Sequence, residues 1–311
     1  MAELLIKELN EKTIHDPALL VREAEDIYHS RVNKIAEYIT THGKIRIILL
    51  AGPSGSGKTT TANLIKDAIK ERGEGAIVVS LDDYYRDAND EGYPKLPDGK
   101  NDLECPEALR LSEIASTLEK IANGESFILP KYDFKVGARV AETIHAPMPD
   151  GCVIIEGLHA LNPKISGRLQ RDCVLKLFVS VSTNINDDKG RIISGRKIRF
   201  IRRMVRDSIY RSATAERTLS LWHSVLSAED IYLYPYKATA DMAFDTFHEF
   251  ELGVMREYCE KLITKSLALK EPYAKIVLDA VSRVVKIDEK LIPENSLIKE
   301  FIPGGIYESI Y

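Results

Sequence analysis

Residues 52–59 read Gly52-Pro53-Ser54-Gly55-Ser56-Gly57-Lys58-Thr59 and satisfy the spacing G-x-x-x-x-G-K-[ST]. Glycines at those positions let successive backbone N–H groups converge on one anion, and a helix opening there adds its dipole. Lys58 can reach the β- and γ-phosphates of a nucleoside triphosphate, and the Thr59 hydroxyl suits Mg²⁺. The expected phosphate cradle comprises Gly52, Ser54, Gly55, Ser56, Gly57, Lys58, Thr59 and Thr60. A Gly/Ser turn that merely carries a lysine needs no strand before it and no helix after it; this one has both.

Acids stand at the ends of two other apolar runs. Asp82 and Asp83 follow AIVVSL (76–81), and Glu156 ends CVIIE (152–156). A carboxylate beside a phosphate loop can take the proton of an attacking hydroxyl, and Asp82 is the candidate base. Strand alternation lets only one of the Asp pair face the phosphate, although an Asp-Asp capping turn fits the same spacing. Glu156, placed across from Thr59, is the candidate second acid for Mg²⁺, directly or through water. Thr59, Asp82 and Glu156 therefore form the expected metal set.

Arg199, Arg202, Arg203, Arg206 and Arg211 share one helical stretch, with Arg199, Arg203 and Arg206 on one face. Guanidinium groups clamp triphosphate oxygens and stabilise a transferring phosphoryl group, as a basic lid would. Arg203 and Arg206 are the expected phosphate contacts, with Arg211 next. A solvated basic helix paired with local acids is the competing reading. His145, His159 and His223 lack a second ligand at metal spacing and read as structural or surface residues, His159 lying closest to the acids.

These groups need a scaffold. IRIILLA (45–51) is a continuous apolar run, as expected of a strand covered on both faces. A helix over 59–72 and the strand AIVVSL complete a β–α–β unit, which predicts a mainly parallel sheet flanked by helices. A helix over 17–42 precedes it, capped by Asp16 with Pro17 in its first turn and apolar residues at Leu20, Ala24, Ile27, Val32, Ile35 and Ile39. A polar loop fills 83–106, and a helix follows over 106–123. A short strand and turn lie at 127–134, and further strands at 152–157, 174–181 and near 241–247. Residues 187–229 read as an Arg-rich helical stretch and 251–269 as a helix. AKIVLDAVSRVVKI (274–287) reads as weakly strand-like. The expected layout is a helical extension (1–43), one α/β P-loop domain (44–270) carrying the arginine lid, and a further extension (271–311).

At 311 residues, 44 % apolar and 29 % charged, the chain has the composition of a soluble globular protein. A net charge of −4 argues against nucleic-acid binding. No apolar run approaches a membrane span, and the first residues lack a secretory signal pattern, so a cytoplasmic protein is expected. Cys105, Cys152, Cys173 and Cys259 form no metal or redox motif; Cys152 and Cys173 adjoin strands and read as small hydrophobes. Trp222 reads as a core anchor. The tyrosines of DDYY (82–85) and IYLYPY (231–236) suit stacking on a base, and those of 231–236 equally suit a sheet edge or a subunit contact, leaving a homo-oligomer open.

The segments GPSGSGKTT (52–60), SLDDYY (80–85), ECPEAL (104–109), PKYDF (130–134), VIIEGLHAL (153–161) and RFIRRMVRDSIYR (199–211) together resemble the uridine kinase and phosphoribulokinase group. They resemble uridine–cytidine kinases most, in family order over about residues 45–250. The resemblance implies ATP and Mg²⁺, a ribonucleoside acceptor phosphorylated at its 5′-hydroxyl, and Asp82 as base. It also implies that Tyr85 lines the acceptor pocket, that Glu104 holds ribose hydroxyls where the family more often has Asp, and that Tyr132 and Phe134 flank the base. Arg203 then borders both substrates.

Two places depart from the family pattern. Gly137 stands where such kinases usually carry a His that contacts the pyrimidine, and Leu221-Trp222 replaces a frequent Gln-Tyr pair. Both fall on base recognition, so another nucleoside such as thymidine, or an alcohol such as pantothenate, glycerate or a sugar phosphate, stays open as acceptor. So does a non-catalytic nucleotide-binding regulator, although Lys58, Asp82 and Glu156 together argue against it.

Overall fold

The computed structural model describes residues 3–148, 151–167, 169 and 171–310; residues 1, 2 and 311 of the expected extensions lie outside them. The chain opens with strand β1 (Glu3–Leu5), helix α1 (Ile6–His15) and the long helix α2 (Pro17–Thr41). The Asp16 carboxylate accepts the Leu19 N–H at 2.9 Å and Pro17 takes the first helical position, so α2 starts where capping chemistry places it. Its buried face runs through Leu20, Tyr28, Val32, Ile35 and Ile39. Ile27, expected on that face, is exposed, and Tyr28 fills the slot four residues before Val32.

Strand β2 (Ile47–Ala51) is buried throughout, as a run without a polar side chain must be. The phosphate loop leads from it into α3 (Lys58–Lys70), and β3 (Gly75–Ser80) follows. Next come α4 (Leu111–Asn123) and the hairpin of β4 (Phe127–Asp133) and β5 (Ala138–His145). After these lie β6 (Gly151–Glu156), a short α5 (Pro163–Ser166) and β7 (Val174–Ser180). Then come β8 (Asn184–Asp187), β9 (Gly190–Ile193), α6 (Gly195–Tyr210), α7 (Ala215–Tyr232), β10 (Met242–Asp245), α8 (Glu251–Thr264) and α9 (Pro272–Ser282).

The main sheet has the order β10–β7–β2–β6–β3 and is parallel throughout, with the phosphate-loop strand at its centre. The carboxyl ends of β2, β3 and β6 therefore open on one edge, and the loop, Asp82 and Glu156 share it. One apolar core covers one face of the sheet and draws in α2, α6, α8, α9 and residues 292–302. A second, under α4, covers the other. Among the described residues no helix is long and apolar enough to cross a membrane.

Three sequence expectations change. The stretch 187–229 is not helical from its start: β8 and β9 form a hairpin on Gly190 (φ +125°), and β1 pairs with β8 to give a separate three-stranded sheet. The run from 274 is not strand-like: its residues 274–282 lie in α9, which ends at Ser282. Pro272 opens that helix, and Ala274, Val277, Ala280 and Val281 bury one face at spacings of three and four, which overrides their β-branched character. The short strand and turn expected at 127–134 is half of a hairpin. Its other half, β5, carries no apolar alternation, because its side chains face solvent along most of its length.

Candidate phosphoryl-transfer site

The phosphate loop is shaped by close packing. Gly55 and Gly57 adopt left-handed conformations (φ +73° and +82°). At Gly52 a side chain would come within 2.3 Å of the Val179 carbonyl. Three carbonyls of the loop are held from outside by side chains of α6 and the β10–α8 turn. Arg199 donates to Ser54 O at 2.8 Å, Arg202 to Gly55 O at 3.3 Å, and Thr246 to Ser56 O at 2.8 Å.

The two arginines belong to fully buried ion pairs. Arg199 makes a two-pronged contact with Glu229 of α7, 2.7 Å on each prong, and Arg202 does the same with Glu251 of α8 at 3.1 and 2.5 Å. Such planar forks suit a buried site because every charge meets a partner. The three arginines expected on one face by helical spacing thus play different parts. Arg199 braces the loop, while Arg203 and Arg206 remain near the cleft. Glu229, Glu251 and Thr246 carried no sequence signal, since an acid on a helix is ordinarily a solvated one.

Arg203, Arg206 and Arg211 converge on a single buried carboxylate, Asp207, at 3.3, 3.2 and 3.5 Å. Arg206 also pairs with Glu300 at 3.6 Å. Repulsion from Arg206, and then burial, pulls Arg211 below the ordinary arginine range. Cations crowded in this way gain from an added anion.

The acids lie opposite. Asp82 sits in the helical turn Leu81–Tyr84 and not on the strand itself. Asp83 turns away to accept the Tyr132 N–H at 3.2 Å and to pair with Lys131. Asp82 keeps solvent contact yet is densely surrounded by protein, which pushes its carboxyl up; Lys58 and Arg211 oppose that rise. Glu156 is pushed up to about 7, first by burial and, against the pull of Lys58, also by Asp82. Its Oε1 accepts hydroxyls from Thr59 at 3.3 Å and Ser80 at 3.0 Å. Lys58 donates to the Pro53 carbonyl at 3.2 Å.

Glu104 is likewise raised by burial, with Arg203 pulling it down and Asp82 pushing it up. Tyr85 donates to Leu103 O at 2.8 Å, and its ring meets Phe134 at 5.4 Å and Tyr132 at 6.0 Å. Tyr132 and Phe134 are themselves 5.0 Å apart, edge to face. Phe134 is 60 % exposed. His159 is buried against the Tyr232 ring and its pKa falls to about 4 through burial.

Gly137 has a backbone role: at φ +72° it closes the β4–β5 loop, donating to Asp133 O and accepting from Ala88 N. Trp222 is a core residue between Phe200 and Tyr273, with its indole N–H donated to the Tyr273 hydroxyl at 2.9 Å, while Leu221 faces solvent.

The oxygen donors fit Mg²⁺ chemistry. Thr59, Ser80 and Glu156 meet at one point, and the raised acids Asp82 and Glu156 would be relieved by a cation. Among the described residues no three His, Cys, Asp or Glu side chains form a metal cage, so the ion would draw its remaining ligands from triphosphate and water.

The sequence model of the Phosphoribulokinase / Uridine kinase family matches residues 47–252. A uridine kinase of Lactobacillus helveticus is 30 % identical over 63 % of this chain and 84 % of its own length. One from Deinococcus deserti is 28 % identical over 66 % of this chain and 89 % of its own. The solved structure of a possible uridine kinase from Bacillus stearothermophilus overlaps 70 % of this chain and 98 % of its own, at 19 % identity and a TM-score of 0.44. With the phosphate loop, the adjoining acids and the arginine helix assembled on one sheet edge, this chain belongs to the phosphoribulokinase / uridine kinase family and is an ATP-dependent phosphotransferase.

Proposed function

We propose that the chain transfers the γ-phosphoryl group of ATP to the 5′-hydroxyl of a ribonucleoside, a pyrimidine nucleoside of the uridine or cytidine kind. The observation that carries this reading is the position of the Tyr85–Tyr132–Phe134 ring cluster beside two carboxyls, Asp82 and Glu104. Aromatic faces suit a flat base, and a carboxyl at each side suits ribose hydroxyls.

In this reading Asp82 accepts the proton of the attacking hydroxyl. Its carboxyl, pushed up by the protein packed around it although its surface still meets solvent, shifts toward the range in which a base works at neutral pH. The loop from Gly52 to Thr60 and Lys58 hold the phosphates, and Arg203, Arg206 and Arg211 neutralise charge on the moving group. Thr59, Glu156 and Asp82 would hold Mg²⁺, which when bound neutralises the β- and γ-oxygens. Glu104 and Tyr85 orient the acceptor, with Tyr132 and Phe134 against the base.

Gly137 favours a second reading on the base side. Gly137 puts no side chain there to read the base, so a nucleoside with a different base, thymidine included, is the second reading. An ADP-formation screen over nucleosides and small alcohols, with Asp82→Asn as control, decides. Turnover of a pyrimidine ribonucleoside that Asp82→Asn abolishes is expected. Turnover of a non-nucleoside alcohol alone would sink the nucleoside reading.

A further inference from the structure

Ser54 is bonded through each of its polar groups. Its N–H donates to Glu229 Oε1 at 2.9 Å, its carbonyl accepts from Arg199 at 2.8 Å, and its hydroxyl oxygen accepts from Arg203 Nη1 at 2.8 Å. The first two partners form one fully buried ion pair. The backbone of Ser54 is thus held at its amide and its carbonyl by one fully buried unit, and its side chain presents an oxygen to Arg203.

Arg203 has few other holds. Its remaining ion-pair partner, Asp207, sits at 3.3 Å and is shared with Arg206 and Arg211. A long guanidinium side chain left to itself samples many rotamers, and fixing it in advance removes that entropic cost from the reaction. Burial also pulls Arg203 below the usual arginine range, so an ordered oxygen acceptor matters more here than in water.

We propose that Ser54 is a positioning residue: it aims Arg203 toward the phosphate site, and the buried Arg199–Glu229 pair holds Ser54 in place to do so. The inference rests on the reading of Arg203 as a phosphate-side arginine. It assigns the Ser54 amide to Glu229 instead of to a phosphate oxygen, and it makes the first turn of the loop a bracket for the arginine helix.

A double-mutant cycle tests it. The affinity for Mg·ATP is measured by calorimetry for the wild type, Ser54→Ala, Arg203→Ala and the double variant, with melting temperatures alongside. Ser54→Ala is expected to melt like the wild type and to weaken Mg·ATP binding about three- to tenfold. In the Arg203→Ala background the same change should do nothing further. Ser54→Thr, which keeps the hydroxyl, should restore binding.

An undiminished Ser54→Ala effect in the Arg203→Ala background, or no effect in the wild type, overturns the proposal. With uridine as acceptor, Ser54→Ala should lower kcat and leave the uridine KM unchanged; a change confined to that KM also overturns it. If uridine is inert, the nucleoside reading fails, and the binding cycle still decides the role of Ser54.

Discussion

The Glu300 carboxylate accepts the backbone N–H of Thr60 at 3.3 Å, across 240 residues of chain. Thr60 lies in the first turn of α3, at the end of the proposed phosphate cradle. Glu300 is buried, pairs with Arg206, and is seated by Phe301 beneath Arg202 and by Leu297 against Gly57. A carboxylate thus occupies a donor that a phosphate oxygen could use, and it engages an arginine of the cleft.

Glu300→Gln should therefore tighten ADP and ATP binding several-fold, because a neutral amide competes less for the Thr60 N–H and Arg206. Calorimetry with ADP reads this directly. Weaker ADP binding in a variant that still melts cooperatively would mean that Glu300 supports the nucleotide.

Asp82→Asn should lower kcat by about 10²- to 10⁴-fold, the range of a lost general base, with a much smaller loss of Mg·ATP affinity. Loss of ATP binding on the same scale would place Asp82 in the metal site alone. Steady-state kinetics combined with nucleotide titration separates the two.

Glu156 titrates near 7, against 4.5 for an ordinary glutamate. Between those values the folded protein holds a proton that the unfolded chain does not, so stability without Mg²⁺ falls as pH rises from about 4.5 to 7. Glu156→Gln should then raise the melting temperature at pH 8 in chelator by a few degrees, while Mg²⁺-dependent turnover collapses. Mg²⁺ competes with that proton, so the wild-type Mg²⁺ requirement should rise as pH drops below 7. A flat requirement between pH 6 and 8 would contradict the assignment.

Phe134 is mostly exposed and rests on Tyr85 and Tyr132. Phe134→Ala should leave the melting temperature nearly unchanged. A lost base–aromatic contact of about 1–3 kcal/mol should raise the nucleoside KM roughly five- to 150-fold. The ATP KM should not move; an equal rise in both would show that the ring acts through the fold.

Gly57→Ala meets two obstacles together. The left-handed backbone at φ +82° costs a non-glycine residue about 1–2 kcal/mol, and the new methyl would lie 2.6 Å from Leu297. Reduced stability and loss of nucleotide binding are expected together. Gly57→Ala combined with Leu297→Ala should regain part of the stability, as measured by denaturant unfolding.

The strands of the central sheet, the phosphate loop and the start of α2 were legible because they depend on local pattern: apolar runs, a fixed Gly/Lys spacing, and capping at Asp16 and Pro17. The acids at strand ends were legible for the same reason. What holds the loop was not. Glu229, Glu251 and Glu300 look in sequence like any helical or turn acid, and only tertiary packing turns them inward. The β8–β9 hairpin was hidden by the arginines after it, and α9 by β-branched residues that suit either period. Gly137 reads as a lost side chain until its left-handed turn is seen.

The bond between Thr60 and Glu300, with Leu297 closing on Gly57, has a consequence for how the molecule is made. Synthesis runs from the amino end, so the sheet and the phosphate loop emerge long before residues 297–302 exist. Throughout that interval the first turn of α3 lacks its covering segment and the Thr60 amide lacks its carboxylate. The first turn of α3 is translated 240 residues before the carboxylate that completes it.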